Sequence, residues 1–344
     1  MSKKAKIAVI TIVSIVIAIV VVAGAMAGSA QRAIDNGTRT TFLSNWMSFA
    51  KDETLLTQTV IPGAHDSGTV GMMWAAETQD KSIGDMLACG ARYFDIRVKK
   101  DGDKLVIFHG PIKGVEFAPI VDDIVAFLSA NPSEVLLLDF QHFEGEGIME
   151  AVDAILCDKL GERIIKNDTE NDDLTFVKSL TLGSARGKAL VFWGNYFNQK
   201  STCAYASERN YLFGRNNDGG SREGSVLQSY YARNLNTKSS SKYISEAIPE
   251  YVKKYKASNG GFFVMQCQLT DPIFIVGPKF LEGTHNKNAS NFVKNLANED
   301  YFDCVNIIMR DYLGANKCKE IIALNLAKGN IKEENIAIFT QETA

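Results

Sequence analysis

The sequence predicts an α/β chain folded as a single distorted (β/α) barrel and preceded by one N-terminal hydrophobic helix. Three observations carry that prediction. Eight short apolar runs recur along the chain, and helix-like amphipathic stretches lie between many of them. The glycine-rich phosphate turns that an open doubly wound sheet favours, G-x-G-x-x-G or G-x-x-x-x-G-K-[ST], are absent. A length of 344 residues, with no internal repeat and no Pro- or Ser-rich linker, fits one large barrel domain.

The elements follow in chain order. Residues 1–30 carry Lys3, Lys4 and Lys6 but no acid, and residues 7–27 carry no charge. That run is about long enough to cross a bilayer. A basic flank, an apolar run and small residues predict export, either through a leader cut near Ala27 or Ala30 or through a retained anchor. By the positive-inside rule the body then lies outside the cytoplasm. The expected division is 1–30 for the leader or anchor and 31–344 for the barrel. Candidate strands are 59–61, 92–98, 105–109, 135–140, 189–193, 226–231, 262–268 and 305–311. Candidate helices are 82–89, 119–130, 148–160, 241–256, 290–298 and 317–327. Only six residues separate the second strand from the third, too few for a crossover helix, so that pair reads as a hairpin or an irregular step. The polar, glycine-rich stretches 214–225 and 236–242 read as loops.

Strand ends hold the residues suited to chemistry. Pro62 and Gly63 are read as ending the first strand and placing His65 in a tight loop. His109 follows an apolar strand and precedes Gly110, so both imidazoles are expected at the C-terminal mouth of a barrel. Two facing imidazoles can supply a base and an acid. Period-two alternation sends Tyr93, Asp95 and Arg97 to one face of their strand and Phe94, Ile96 and Val98 to the other. An inward acid and guanidinium call for mutual pairing or a ligand. The same alternation aligns Asp311 with Met309 and Ile307, as an acid able to hold a histidine tautomer. Together with Asp66, these groups suit phosphoryl transfer without a metal, the arginine neutralising phosphate charge and the histidines moving protons. His142 reads as a surface histidine, with a substitute pocket residue as the alternative, and His285 as a residue at a helix start.

Composition excludes other classes. From Gln31 onward 34 basic side chains face 40 acidic ones, so bulk attraction to nucleic acid is not expected. The six cysteines contain no C-x-x-C pair, which argues against zinc-ribbon and thioredoxin chemistry. Disulfides are chemically allowed in an exported chain, but the apolar settings of Cys89, Cys157, Cys267 and Cys304 favour small buried side chains.

Ile61-Pro62-Gly63-Ala64-His65-Asp66-Ser67-Gly68-Thr69, Thr78-Gln79-Asp80, Gly90-Ala91-Arg92-Tyr93-Phe94-Asp95-Ile96-Arg97 and Phe108-His109-Gly110-Pro111 closely resemble the X-domain of bacterial phosphatidylinositol-specific phospholipases C. Asn131-Pro132-Ser133-Glu134, Ala185-Arg186-Gly187-Lys188 and Met309-Arg310-Asp311-Tyr312 continue the resemblance. It implies a distorted TIM-like barrel that cleaves phosphatidylinositol to diacylglycerol and inositol 1,2-cyclic phosphate. Carried onto these positions, His65 is the base oriented by Asp311, and His109 is the acid assisted by Asp66. Arg97 grips the phosphate, with Asp95 behind it. Relatives that need calcium carry an acid where Arg97 stands, so the resemblance implies no metal and no cofactor. Arg186, Tyr231 and Gln141 are the implied head-group contacts. A lysine-bearing stretch of the family is replaced here by Asp139-Phe140-Gln141-His142, which leaves the head group open. The implied partners are a phosphatidylinositol-bearing membrane surface and no nucleic acid, with the protein acting as a monomer, secreted or anchored. The alternatives are the same chemistry on a glycosylated phosphatidylinositol or another phosphodiester, and a silent phosphoinositide-binding domain.

Overall fold

In a computed structural model the described residues are 3–194, 208–216, 226–230, 239–270 and 276–344, with the side chains of the N-terminal helix described only in part. Ten strands form one sheet: β1 (Ile61–Ala64), β2 (Tyr93–Asp101), β3 (Lys104–His109), β4 (Ile112–Glu116), β5 (Leu136–Glu144), β6 (Ala189–Trp193), β7 (Leu212–Asn216), β8 (Leu227–Ser229), β9 (Phe262–Gln266) and β10 (Ile307–Arg310). Their order is β1-β10-β9-β8-β7-β6-β5-β2-β3-β4, and a further β1–β2 pairing closes the ring. Eight parallel strands therefore form the barrel, while β3 and β4 hang outside it as an antiparallel extension of β2. Closure at β1–β2 rests on Gly63 opposite Tyr93 and Ala64 opposite Phe94. A Cβ on Gly63 would stand 2.8 Å from the Tyr93 ring, so glycine is needed there.

Several sequence expectations are corrected. Pro62 and Gly63 lie inside β1, whose polar backbone is paired with β10 across both residues. The run 105–109 is a strand in the hairpin expected with 92–98, and so it does not count among the barrel strands. The eighth barrel strand is β7, whose Gly214 and Arg215 had made it look like a loop; residues 217–225 lie outside the described residues. The helix Gly277–Asn295 begins well before the expected 290, and His285 sits buried within it, bonded through Nδ1 to Ser240 Oγ at 2.7 Å. The five described cysteines are free, and of the four read as buried, Cys89 and Cys267 are, whereas Cys157 is exposed on its helix and Cys304 is half-buried.

Helices pack outside the ring. Ile120, Val121, Ile124 and Leu128 bury one face of Phe117–Ala130, and Ile148, Val152, Leu156 and Leu160 do the same for Ile148–Leu160. The N-terminal helix Lys3–Ala33 reaches past residue 30 and docks its last turns on the barrel. The side chains of residues 3–13, 15, 19, 22 and 23 of this helix lie outside the described ones, and among the described residues no helix is long and apolar enough to cross a membrane. Just after it, Asp35 caps the helix Ala315–Ala327. The N-cap, Gly314, has no side chain, and the Asp35 carboxylate accepts from Asn316 N at 3.3 Å and Lys317 N at 2.8 Å. A Cβ on Gly314 would stand 2.6 Å from that of Asp35, so the missing side chain makes room for the distant cap.

Candidate active site

At the C-terminal mouth, the ends of β1, β2, β3 and β10 bring His65, Asp66, Asp95, Arg97, His109 and Asp311 together. His65 Nδ1 lies 2.7 Å from Asp311 Oδ1, and its Nε2 lies 3.4 Å from Asp66 Oδ2. His109 Nε2 approaches the same Asp66 oxygen at 3.5 Å. Its Nδ1 lies 2.8 Å from the carbonyl of Ala76. A carbonyl only accepts, so Nδ1 carries hydrogen and Nε2 is left to exchange a proton. Arg97 Nη2 stands 2.5 Å from Asp66 Oδ1 and 3.8 Å from Asp95 Oδ2. Arg97 Nε is buried with no hydrogen-bond partner among the described residues. Such a donor at the mouth suits an oxygen of a bound anion.

The backbone is held in unusual form to achieve this. Asp66 (φ 43°) and Tyr312 (φ 46°) are both left-handed, a conformation that non-glycine residues adopt at an energetic cost and that concentrates at functional sites. Thr78 Oγ1 donates to the Asp66 carbonyl at 3.0 Å, and Tyr312 N donates to the Thr78 carbonyl at 2.7 Å. Gln79 joins the two sides of the site. Its Nε2 donates to the carbonyls of His65 and Arg310, and its Oε1 accepts from Leu313 N. Lys317 Nζ, itself buried, donates to the carbonyls of Asp311 and Tyr312, each at 2.9 Å.

Electrostatics separates the groups. Burial lowers the pKa of His65, but the charges of Asp66 and Asp311 outweigh it and push the pKa up to about 9. Burial also lowers that of His109, and there Asp66 does not fully compensate. Asp66 is buried, yet Arg97 and the two histidines hold its carboxyl well below the usual range. Burial pushes Asp95 up to about 7, against the pull of Arg97, and Asp311 up to about 6, against that of His65. His65, Asp66 and Asp95 offer three ligand-type atoms within reach of one another. The Arg97 guanidinium stands against two of these groups, and its fixed charge opposes a cation there.

The sequence-based pocket residues fare differently. Gln141 is present, its Oε1 accepting from Arg97 Nη2 at 3.4 Å. Arg186 is not. It precedes β6 at the opposite end of the barrel, where it pairs with Asp52 at 2.7 Å and donates to the carbonyls of Met47, Ser133 and Ala50. Its guanidinium is committed to tying loops together. Tyr231 lies outside the described residues. The structure adds members that sequence reasoning missed. Arg215 on β7 reaches Asp139 on β5 at 2.6 Å, and Tyr93 Oη donates to the other Asp139 oxygen at 2.5 Å. A Cβ on Gly194 would meet the Arg215 stem at 2.5 Å, so that glycine at the end of β6 opens its path. His142, whose pocket placement was the alternative to a surface one, also joins the site, through a β-bulge that pairs Ile96 with Phe140 but Arg97 with His142. The extra residue breaks the alternation that would have turned His142 outward. Burial, with the charges of Arg97 and Arg215, pushes its pKa down to about 3.

Residues 53–194 match the family profile described as phosphatidylinositol-specific phospholipase C, X domain. A Staphylococcus aureus (strain Newman) protein called 1-phosphatidylinositol phosphodiesterase is 36% identical over 105 residues, 28% of this chain and 33% of that one. A Listeria monocytogenes protein of the same name is 37% identical over 101 residues, 27% and 31% of the two chains. The match therefore spans about a third of the length of these relatives. The solved structure of the phosphatidylinositol-specific phospholipase C from Listeria monocytogenes superposes with a TM-score of 0.60 at 23% identity, covering 82% of this chain and 98% of that one. At this identity the likeness is one of fold.

Proposed function

We propose that this chain belongs, through residues 53–194, to the X-domain family of phosphatidylinositol-specific phospholipases C, and that it cleaves phosphatidylinositol to diacylglycerol and inositol 1,2-cyclic phosphate. One observation carries the reading: two imidazoles turn their Nε2 atoms toward a single carboxylate, Asp66, whose other oxygen holds the Arg97 guanidinium. In this reading the neutral Nε2 of His65 takes the proton from the inositol 2-hydroxyl as that oxygen forms a bond to phosphorus. The bond from phosphorus to the diacylglycerol oxygen breaks, and the Nε2–H of His109 supplies the proton the leaving oxygen needs. Arg97 neutralises the charge growing on the phosphoryl oxygens, with Nε as a free donor. Asp311 fixes the tautomer of His65, and Asp95 lies behind Arg97. Gln141, His142 and Arg215 face the space beside Arg97 as head-group contacts.

In this reading the enzyme acts as a single chain, either secreted or anchored through residues 7–27, with the barrel extracytoplasmic and no metal required. Phosphorus NMR of the product formed from phosphatidylinositol tests the chemistry. The cyclic phosphate should form at the same rate with chelator present. His65→Ala and His109→Ala should each lower kcat by about 10²–10⁴-fold. Loss of activity with chelator, restored by calcium, would remove the metal-free mechanism. Lipid binding without turnover would make the protein a binding domain.

A further inference from the structure

The N-terminal helix is docked on the barrel by one end only. Its buried or half-buried side chains are Met26, Ser29, Ala30 and Ala33, the i, i+3, i+4, i+7 seam of a packed helix. That seam lies on the helix Gly277–Asn295, where Gly283 admits it, since a Cβ there would run into the carbonyl oxygen of Ser29. Ser29 Oγ donates to Phe280 O at 3.1 Å and Arg32 Nε to Gly283 O at 3.3 Å. Asn286 Nδ2 donates to Arg32 O at 3.0 Å, and Lys317 Nζ to Ala33 O at 3.3 Å. The partners' numbers rise together, so the two helices run parallel.

Direction follows from this. The helix Gly277–Asn295 comes after β9 and returns from the mouth, as barrel helices do. Its Glu282 stands level with Arg310, the last residue of β10, at 2.8 Å. Followed backwards from Ser29, the N-terminal helix therefore climbs beyond the strand ends on the side of the active site. Every described side chain from Ser14 to Ala25 is exposed, Val16, Ile17, Val20 and Val21 by more than half. On the same rim Met73 is 49% and Trp74 56% exposed. Trp74 lies over Gly277, and the segment that carries it also supplies the Ala76 carbonyl to His109.

We propose that this helix crosses a lipid bilayer and holds the mouth of the barrel against the surface of that same membrane, so that the lipid cleaved comes from the leaflet the helix enters. This rests on the reading of the site as a phospholipase. The occupant is a bilayer rather than a protein groove because residues 7–27 are uncharged on every face, whereas a helix docked in a groove keeps a polar back. Their 21 residues would span about 31 Å as a helix, close to the hydrocarbon thickness. Lys3, Lys4 and Lys6 then lie at the far surface, and Met73 and Trp74 at the near one. Tethering makes the encounter with substrate two-dimensional and raises its effective concentration.

The test reconstitutes the full chain in phosphatidylcholine vesicles doped with phosphatidylinositol bearing one fluorescent acyl chain. Enzyme-free vesicles carrying a second fluorophore are then added. The enzyme's own vesicles should be cleaved about 100-fold faster than the added ones, whatever the vesicle dilution. Gly283→Leu, which forces the docked helix off the barrel, should lower cleavage of the enzyme's own vesicles several-fold more than it lowers turnover of a soluble short-chain phosphatidylinositol by the same variant. Equal rates on both vesicle sets for the unaltered chain, or its extraction by alkaline carbonate, would overturn the proposal. Absence of turnover on the soluble lipid would instead defeat the phospholipase reading. A readout independent of turnover remains in that case. Trp46 and Trp193 are buried, so the emission lost in Trp74→Phe reports the rim. Brominated lipids should quench that emission, and an unquenched Trp74 in the vesicle-bound chain would overturn the orientation.

Discussion

The two imidazoles of the site rest in the opposite states from those the proposed reaction uses. His65, with a pKa near 9, holds a proton at neutral pH, while His109, pushed below its ordinary value, has lost its own. A neutral base and a charged acid therefore make up the minor form of a singly protonated pair. The population of that pair governs kcat/KM, giving a bell with an acid limb below the ordinary histidine value and an alkaline limb near 9. Asp311→Asn removes one of the charges that raise His65, so the alkaline limb should move to lower pH as kcat falls. An unmoved limb in the pH profile would mean that Asp311 does not act through His65. At this scale much was legible. Alternation along residues 92–98 placed Asp95 and Arg97 inside because β2 is regular there. For His142 the pocket was only the lesser of two readings, since a bulge one residue long reverses the face of everything beyond it. Arg186 was misplaced because a motif match does not tell which end of a strand its residue occupies.

Between elements, the N-terminal end of the barrel depends on a buried ion pair. Arg92, just before β2, uses all five of its donors: one on Glu134 at 2.8 Å and four on the carbonyls of Leu87, Ala91, Leu43 and Ser44. Glu134 also accepts from Met47 N at 3.1 Å. Glu134→Ala leaves a fully buried guanidinium without its counter-charge and should cost about 3–5 kcal/mol of stability. Urea unfolding measures this. Initial rates should hold under native conditions, since the site lies at the other end of the strands. Strands rich in Val, Leu and Phe, such as 189–193, could be read from the sequence, whereas β7 could not. Its Leu212-Phe213-Gly214-Arg215-Asn216 sequence has a strand's geometry but a loop's composition, because the arginine is needed to reach Asp139. The helix Gly277–Asn295 was half-missed for a related reason: Gly277 and Gly283 weaken helix propensity where close packing needs them.

For the whole molecule, the first 35 residues divide into a part the barrel does not touch and a part it requires. Truncation before Met26 should leave Tm unchanged, since the side chains described ahead of it are exposed. Truncation through Gly37 removes the Ala33 carbonyl from Lys317 and the Asp35 cap from Ala315–Ala327. The loss should be about 1–3 kcal/mol of stability, together with lower kcat, because Lys317 also holds the Asp311 and Tyr312 carbonyls. Equal Tm for the two truncations, measured by calorimetry, would show that the cap is dispensable. The closed ring was expected from eight alternating runs. One of those runs lies outside it and one true member went unread, because a tally of strands carries no information about pairing.

That arrangement bears on how such a molecule can change over evolutionary time. The proposed acid, His109, stands on a hairpin whose only strand pairing to the barrel is with the outer reach of β2, while the proposed base, the guanidinium and ring closure belong to the barrel itself. A lineage can therefore lose or rebuild the hairpin without dissolving the barrel, and under the proposed function what survives is a folded receptor for a phosphorylated ligand. Turnover is the separable trait and binding the inherited one, so silent descendants of this architecture should outnumber unfolded ones.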